Sequence, residues 1–189
     1  MRLSTCLSLL LAIGARAESP EMVLSSTGQV IARVFNLLQI RLIEVKVALD
    51  QLDGTNIQLL DRAWDDFFTT LQHGTDEVTK QTGTLTAHDM TGLAEDIVSF
   101  TNDMESLVEG RFAKSKAKLA EIEENGHCSK FRAVAERSRQ TKDAFVAVFL
   151  DRIPQELSMA AMTYRKKWDH LIDVLNWRYA AGNCTDKAA

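Results

Sequence analysis

Apolar residues return every three or four positions along nearly the whole chain, the period of an α-helix facing a core. Between Ser26-Thr27 and Leu52, the residues Ile31, Phe35, Leu38, Leu42, Val45, Leu49 and Leu52 form an unbroken heptad seam, which predicts a first helix stopped by Asp53-Gly54. Val30, Val34, Leu37, Ile40 and Val47 widen its apolar surface, so this helix is expected to be flanked on more than one side. A second helix is predicted from about Asn56 to Lys80, with Leu60, Trp64, Phe67, Leu71 and Val78 inward and Phe68 beside them. Gly83 breaks that pattern. Thr86, with Asp89 three positions on, reads as a variant capping box. It opens a third helix that carries Met90, Leu93, Ile97, Phe100, Met104 and Leu107. That helix continues through the charged stretch RFAKSKAKLAEIEE to Asn125-Gly126, with a bend expected around Gly110. The fourth, from Ser129 to Arg152, turns Phe131, Val134, Phe145, Val148 and Phe149 inward. Ile153-Pro154 separates it from the fifth, and Pro154 suits that helix's first turn. The fifth seam is Leu157, Ala161, Tyr164, Trp168, Leu171 and Leu175, fading by Gly182. Strand-like alternation never persists. The expected fold is all-α, an antiparallel bundle of about five long helices over residues 27–184.

The ends change how this bundle is read. Residues 1–17, MRLSTCLSLLLAIGARA, have the form of a secretory signal peptide: Arg2, an apolar stretch too short to span a bilayer, and the Ala15-Arg16-Ala17 cleavage pattern. Residues 18–26 are then an N-terminal extension and 185–189 a C-terminal tail. Cleavage leaves 172 of 189 residues, enough for one domain with a core, and moves the net charge from −4 to −6 through loss of Arg2 and Arg16. That balance argues against nucleic acid or an anionic membrane as partner. No later apolar run approaches membrane-spanning length, and the end NCTDKAA has no hydrophobic tail, so a soluble, secreted protein is expected.

Cys6 leaves with the signal peptide, and Cys128 and Cys184 remain. They lie 26 residues before and 30 residues after Pro154, positions that meet at one end of an antiparallel helix pair. One disulfide is the expected state in an oxidising compartment, with two free buried thiols the alternative. Asn183-Cys184-Thr185 is an N-glycosylation sequon whose middle residue is that cysteine.

A signal peptide, an all-helical mature chain, "LTAHDMTGL" at the third helix and "FLDRIPQELSMAAMTYRKKWDHLIDVL" near the end together resemble the fungal hydrophobic surface-binding protein A family, also called the cell-wall galactomannoprotein family. The resemblance covers most of residues 27–180. It implies a secreted non-enzymatic protein, extracellular or in the cell wall, that adsorbs to hydrophobic surfaces or encloses fatty acids between its helices. Hydrophobic surfaces, a fatty acid or other lipid, and cell-wall polysaccharide are the partners it implies. The two cysteines and three tryptophans stand outside the family's core pattern, and the long Ser/Thr-rich segment and anchor tail of wall-attached relatives are missing, against covalent wall attachment.

The resemblance gives one stripe of residues a second meaning. Phe35, Leu38 and Leu42 are expected to face Trp64, Phe67, Leu71, Phe100, Met104, Phe145, Phe149, Met162, Tyr164 and Trp168. By residue type alone this is ordinary core, and methionine suits a core and an adaptable pocket equally. In a relative of this family it becomes the lining of a lipid cavity. Ser138 and Thr141 interrupt the fourth seam with hydroxyls. They bond back to their own helix, or they anchor a ligand's polar end. Asp61, Asp65 and Asp66 fall within one turn and read as a solvated face. His73, His88, His127 and His170 show no metal spacing, and no nucleophile, P-loop or dinucleotide motif occurs. No enzyme activity, metal or cofactor is expected.

Overall fold

A computed structural model of the protein describes residues 23–52, 57–113 and 116–187, and every regular element among them is helical. The signal peptide, most of the N-terminal extension, the Asp53-Gly54 stop and the predicted start at Asn56 lie outside the described residues. So do the side chains of Lys114, Lys116 and Lys118. The helices are α1 (Ser26–Asp50), α2 (Ile57–Thr79), α3 (Ala87–Glu105), α4 (Lys116–Glu124), α5 (Cys128–Asp151) and α6 (Ser158–Arg178). A π-helical segment, Ser106–Ala113, follows α3, and a 3-10 turn, Gln155–Leu157, precedes α6. The expected fifth helix, here α6, thus begins four residues after Pro154, which caps the 3-10 turn instead. The bend expected around Gly110 takes the form of the π segment.

Packing closes a ring. α1 lies against α2 and α3, α2 against α5, α5 against α6, and α6 against α3 and the π segment. The α1 seam is buried along its length; Ile31, Phe35, Leu38, Leu42 and Val45 have no exposed surface. One side of α1 is left uncovered among the described residues. Val34 is buried as expected, whereas Leu37, Ile40, Ile43 and Val47 stay exposed, each between 42% and 53%.

Asp89 locks two helix starts together. Its carboxylate accepts from Thr86 N–H and hydroxyl at 2.8 Å each, closing the predicted capping box. It also accepts from the Ser25 N–H at 2.7 Å and hydroxyl at 2.9 Å, where Ser25 caps α1. Asp89 has no exposed surface. Room for it depends on Gly28, where a Cβ would stand 2.4 Å from Asp89 Oδ1.

The Cys128–Cys184 disulfide joins the start of α5 to the turns beyond α6, with Cα atoms 5.6 Å apart. The acidic trio of α2 is partly engaged: Lys130 pairs with Asp61 and Arg137 with Asp65, both at 2.6 Å, while Asp66 is exposed. Arg137 also lies over the Phe68 ring, 4.5 Å from its centroid. These contacts tie α2 to α5.

Candidate functional site

At the centre of the ring is an apolar cavity of about 40 Å³ to which every long wall contributes. Leu38 comes from α1, Trp64, Phe67 and Leu71 from α2, Phe100 and Met104 from α3, and Leu107 and Val108 from the π segment. Ser138, Lys142 and Phe145 come from α5, and Trp168, Ile172 and Leu175 from α6. Of the residues expected to line a cavity, the structure brings Leu38, Trp64, Phe67, Leu71, Phe100, Met104, Phe145 and Trp168 to this wall. Phe35 sits behind it, edge-on to Phe100, Phe145 and Phe149 with centroids 5.7–5.8 Å away. Leu42 and Phe149 are buried in the surrounding core.

Met162 and Tyr164 are not part of the wall. Met162 is 37% exposed, Met159 beside it 83%, and Tyr164 half-buried. Both methionines lie within α6 but off its buried face, on which Ala161 precedes Trp168, Leu171, Ile172 and Leu175.

The inner face of α5 is rotated from the expected one. Phe131, Ala135, Ser138, Lys142, Phe145 and Phe149 are buried, whereas Val134, Thr141 and Val148 are half-buried flanks. Ser138 therefore reaches the cavity and Thr141 does not. Both hydroxyls donate to their own helix at 2.8 Å, Ser138 to Val134 C=O and Thr141 to Arg137 C=O. Lys142, absent from the sequence-based lining, occupies the inner position. Its methylene stem lies along apolar surface while Nζ reaches Asp143 at 2.6 Å and Asp169 on α6. Leu107, Val108, Ile172 and Leu175 also escaped the sequence-based lining, although Leu107 and Leu175 were in the expected helix seams.

Two tryptophans in the wall differ in their hydrogen bonding. The Trp168 N–H donates to Thr101 Oγ1 at 2.9 Å, and that hydroxyl donates to Ile97 C=O at 2.6 Å. The Trp64 N–H is buried with no partner among the described residues. An unmet donor of this kind costs about 1–3 kcal/mol, which makes it uncommon in folded interiors.

A metal is poorly served by the cysteines. Among the described residues, one group of potential ligand atoms converges, Glu123 with Cys128 and Cys184, and both sulfurs are bonded to each other. No helix among the described residues is long and apolar enough to cross a membrane. Asn183 is exposed; its Nδ2 donates to Trp177 C=O at 2.6 Å.

No protein-family model and no curated protein matches this sequence. Solved structures do match in fold. Ligand-binding domain 1 of the Penicillium marneffei MP1 protein, complexed with arachidonic acids, has a TM-score of 0.75 at 10% identity, over 82% of this chain and 99% of that one. Domain 2 of the same protein, complexed with multiple arachidonic acids, has a TM-score of 0.74 at 10% identity, over 80% and 95%. AfMP4p in complex with palmitic acid has a TM-score of 0.72 at 12% identity, over 81% and 99%. The expected all-helical bundle is the observed fold, and it is close to that of the MP1 ligand-binding domains.

Proposed function

We propose that the chain is a secreted, non-enzymatic carrier of long-chain lipids, fatty acids first among them, which it holds between its helices. The observation that carries this reading is the central cavity, apolar but for Ser138 and Lys142 and bounded by five elements of the bundle and the π segment. The fold neighbours support it, because their solved complexes contain arachidonic or palmitic acid. The sequence resemblance and the form of residues 1–17 support secretion, with Asn183 as a candidate glycosylation site.

The cavity is far smaller than the roughly 300–1,000 Å³ of ligand pockets in general. A lipid tail therefore requires the helices to move apart. The π segment is the wall best suited to give way, since π-helical turns are rare and recur at functional sites. Gly110 at its exposed side adds backbone freedom. Tail burial then contributes about 25 cal/mol per Å² of apolar surface, offset by the cost of ordering the chain and opening the bundle.

A delipidated sample tests this. Native mass spectrometry should show lipid adducts after incubation with palmitate, and the melting temperature should rise with its concentration, as mass action requires. No adduct and no shift would reject lipid binding.

The second reading is adsorption to hydrophobic surfaces, and a different observation favours it. Ile40, Ile43 and Val47 on α1 and Leu59 on α2 are all about half exposed on the uncovered side of α1. Adsorption to apolar beads that survives Ile40→Glu with Val47→Glu would remove that stripe from consideration.

A further inference from the structure

Trp64 and Trp168 line the same cavity, are both at least 95% buried, and differ in whether the indole N–H has an acceptor. Trp168 has Thr101. Trp64 has none among the described residues. The other polar groups of the wall are already engaged as donors. Ser138 gives its proton to Val134 C=O, and Lys142 is shared by Asp143 and Asp169, the latter also 3.9 Å from Arg165. A carboxylate entering here would meet no free cation among the described lining residues and would approach two aspartates. A neutral oxygen needs only a donor, and Trp64 supplies it.

We infer that the Trp64 N–H is the hydrogen-bond donor for a neutral oxygen of the bound lipid: a hydroxyl, a carbonyl, an ester or a protonated carboxyl. A ligand hydroxyl gains a further contact, because Ser138 Oγ keeps lone pairs to accept its proton. The inference rests on the lipid-binding reading above and sharpens it. Chain burial would hold the lipid in place, and Trp64 would select oxygenated chains over bare hydrocarbon. The paired Trp168 provides an internal control.

The test is a matched set of one chain length, comprising an alkane, a primary alcohol, a methyl ester and a carboxylate at neutral pH. Each is added to the delipidated chain and to Trp64→Phe and Trp168→Phe. With Trp64→Phe, alcohol and ester affinities should fall ~5- to 10-fold, the worth of one hydrogen bond, while the alkane stays within ~2-fold. Trp168→Phe should move all four by a similar factor. A variant-free readout accompanies these. In the wild-type chain, the indole vibration sensitive to N–H hydrogen bonding should shift for one tryptophan when alcohol binds, and not with alkane. Equal losses across the set for Trp64→Phe, or no vibrational shift on alcohol binding, would overturn the inference while leaving lipid binding intact. Binding of none of the four to the wild-type chain would reject the lipid-binding reading and this inference with it.

Discussion

Lys142 of α5 and Asp169 of α6 form an ion pair at the cavity wall in which the lysine is nine-tenths buried and the carboxylate about two-fifths exposed. The burial is lopsided, and that decides what removing the lysine does. Breaking a buried pair is severe when a charge is stranded away from water. Here the partners left behind, Asp169 and Asp143, are 41% and 57% exposed and can hydrate. Lys142→Met fills the stem's space with a flexible apolar chain. Urea unfolding should therefore show a change within about 1 kcal/mol. Palmitate affinity should hold or improve. A tenfold loss of palmitate affinity in an unaltered fold would make Lys142 a carboxylate anchor, contrary to the role given to Trp64.

Asp89 makes stability depend on pH in a direction that can be stated. Burial pushes its carboxyl upward, but the backbone N–H groups of Thr86 and Ser25, with their two hydroxyls, outweigh it and hold the group below the usual carboxylate range. Its stabilisation is therefore fully present above the unfolded value of about 3.9 and is lost as pH falls through the lower folded value. Asp103, held low by Lys46 and Gln39 against its own burial, adds in the same sense. Asp96, raised by burial and by Glu95, acts oppositely. Asp89→Asn should lose on the order of 2–3 kcal/mol at neutral pH, because an amide cannot accept from all four donors. Its acid limb should be shallower than the wild type's in a series of urea titrations. An unchanged acid limb would show that Asp89 is not the controlling group.

The heptad seams made the helices readable because burial on one face is a local, periodic signal. Helix starts such as Thr86 were equally readable, since a capping box spans four residues. The Ser25–Asp89 contact joins residues 64 apart, and no local pattern carries it. On α5 the expected face, through Val134, Thr141 and Val148, lies one step from the buried one, through Ala135, Ser138 and Lys142, because a charged residue takes the inner position when its stem packs and its ammonium escapes to a partner helix. The cavity residues on α2 and α3 followed from periodicity. Met162 and Tyr164 did not, because Met162 lies off the buried face of α6 and Tyr164 only flanks it. The unmet Trp64 donor has no sequence signature, as it depends on what lies opposite the ring in three dimensions.

The Cys128–Cys184 disulfide closes a loop across 56 residues. In the chain-entropy model a loop of that length stabilises by about 4 kcal/mol. Around it, Arg132 donates to Tyr179 C=O at 3.0 Å and Cys184 C=O at 3.3 Å, and Asp186 accepts from Cys128 N–H at 2.6 Å. This cluster sits beyond the residues of the cavity wall. Replacing both cysteines by serine should lower the melting temperature strongly and speed hydrogen exchange over residues 179–187. Lipid stoichiometry measured below the new melting point should be unchanged. Loss of lipid binding at a temperature where the double variant is still folded would mean that the bridge holds the cavity's shape as well.

Gly110 separates stability from lipid uptake. It lies on the exposed side of the π segment, and a Cβ placed on it meets nothing within 4 Å. Gly110→Ala should therefore stabilise the resting fold by about 0.4–1 kcal/mol, mainly by restricting the unfolded chain. If a tail enters because the Ser106–Ala113 wall gives way, the same change disfavours the open form. The competent fraction shrinks and the apparent Kd for palmitate rises ~2- to 5-fold, as that free energy converts. Thermal unfolding and lipid titration of the one variant should then move in opposite directions: a higher melting temperature without ligand, and weaker, slower binding with it. A stabilised variant that binds palmitate as fast and as tightly as the wild type would place the opening elsewhere, with the α5–α6 seam closed by Lys142 and Asp169 the next wall to test.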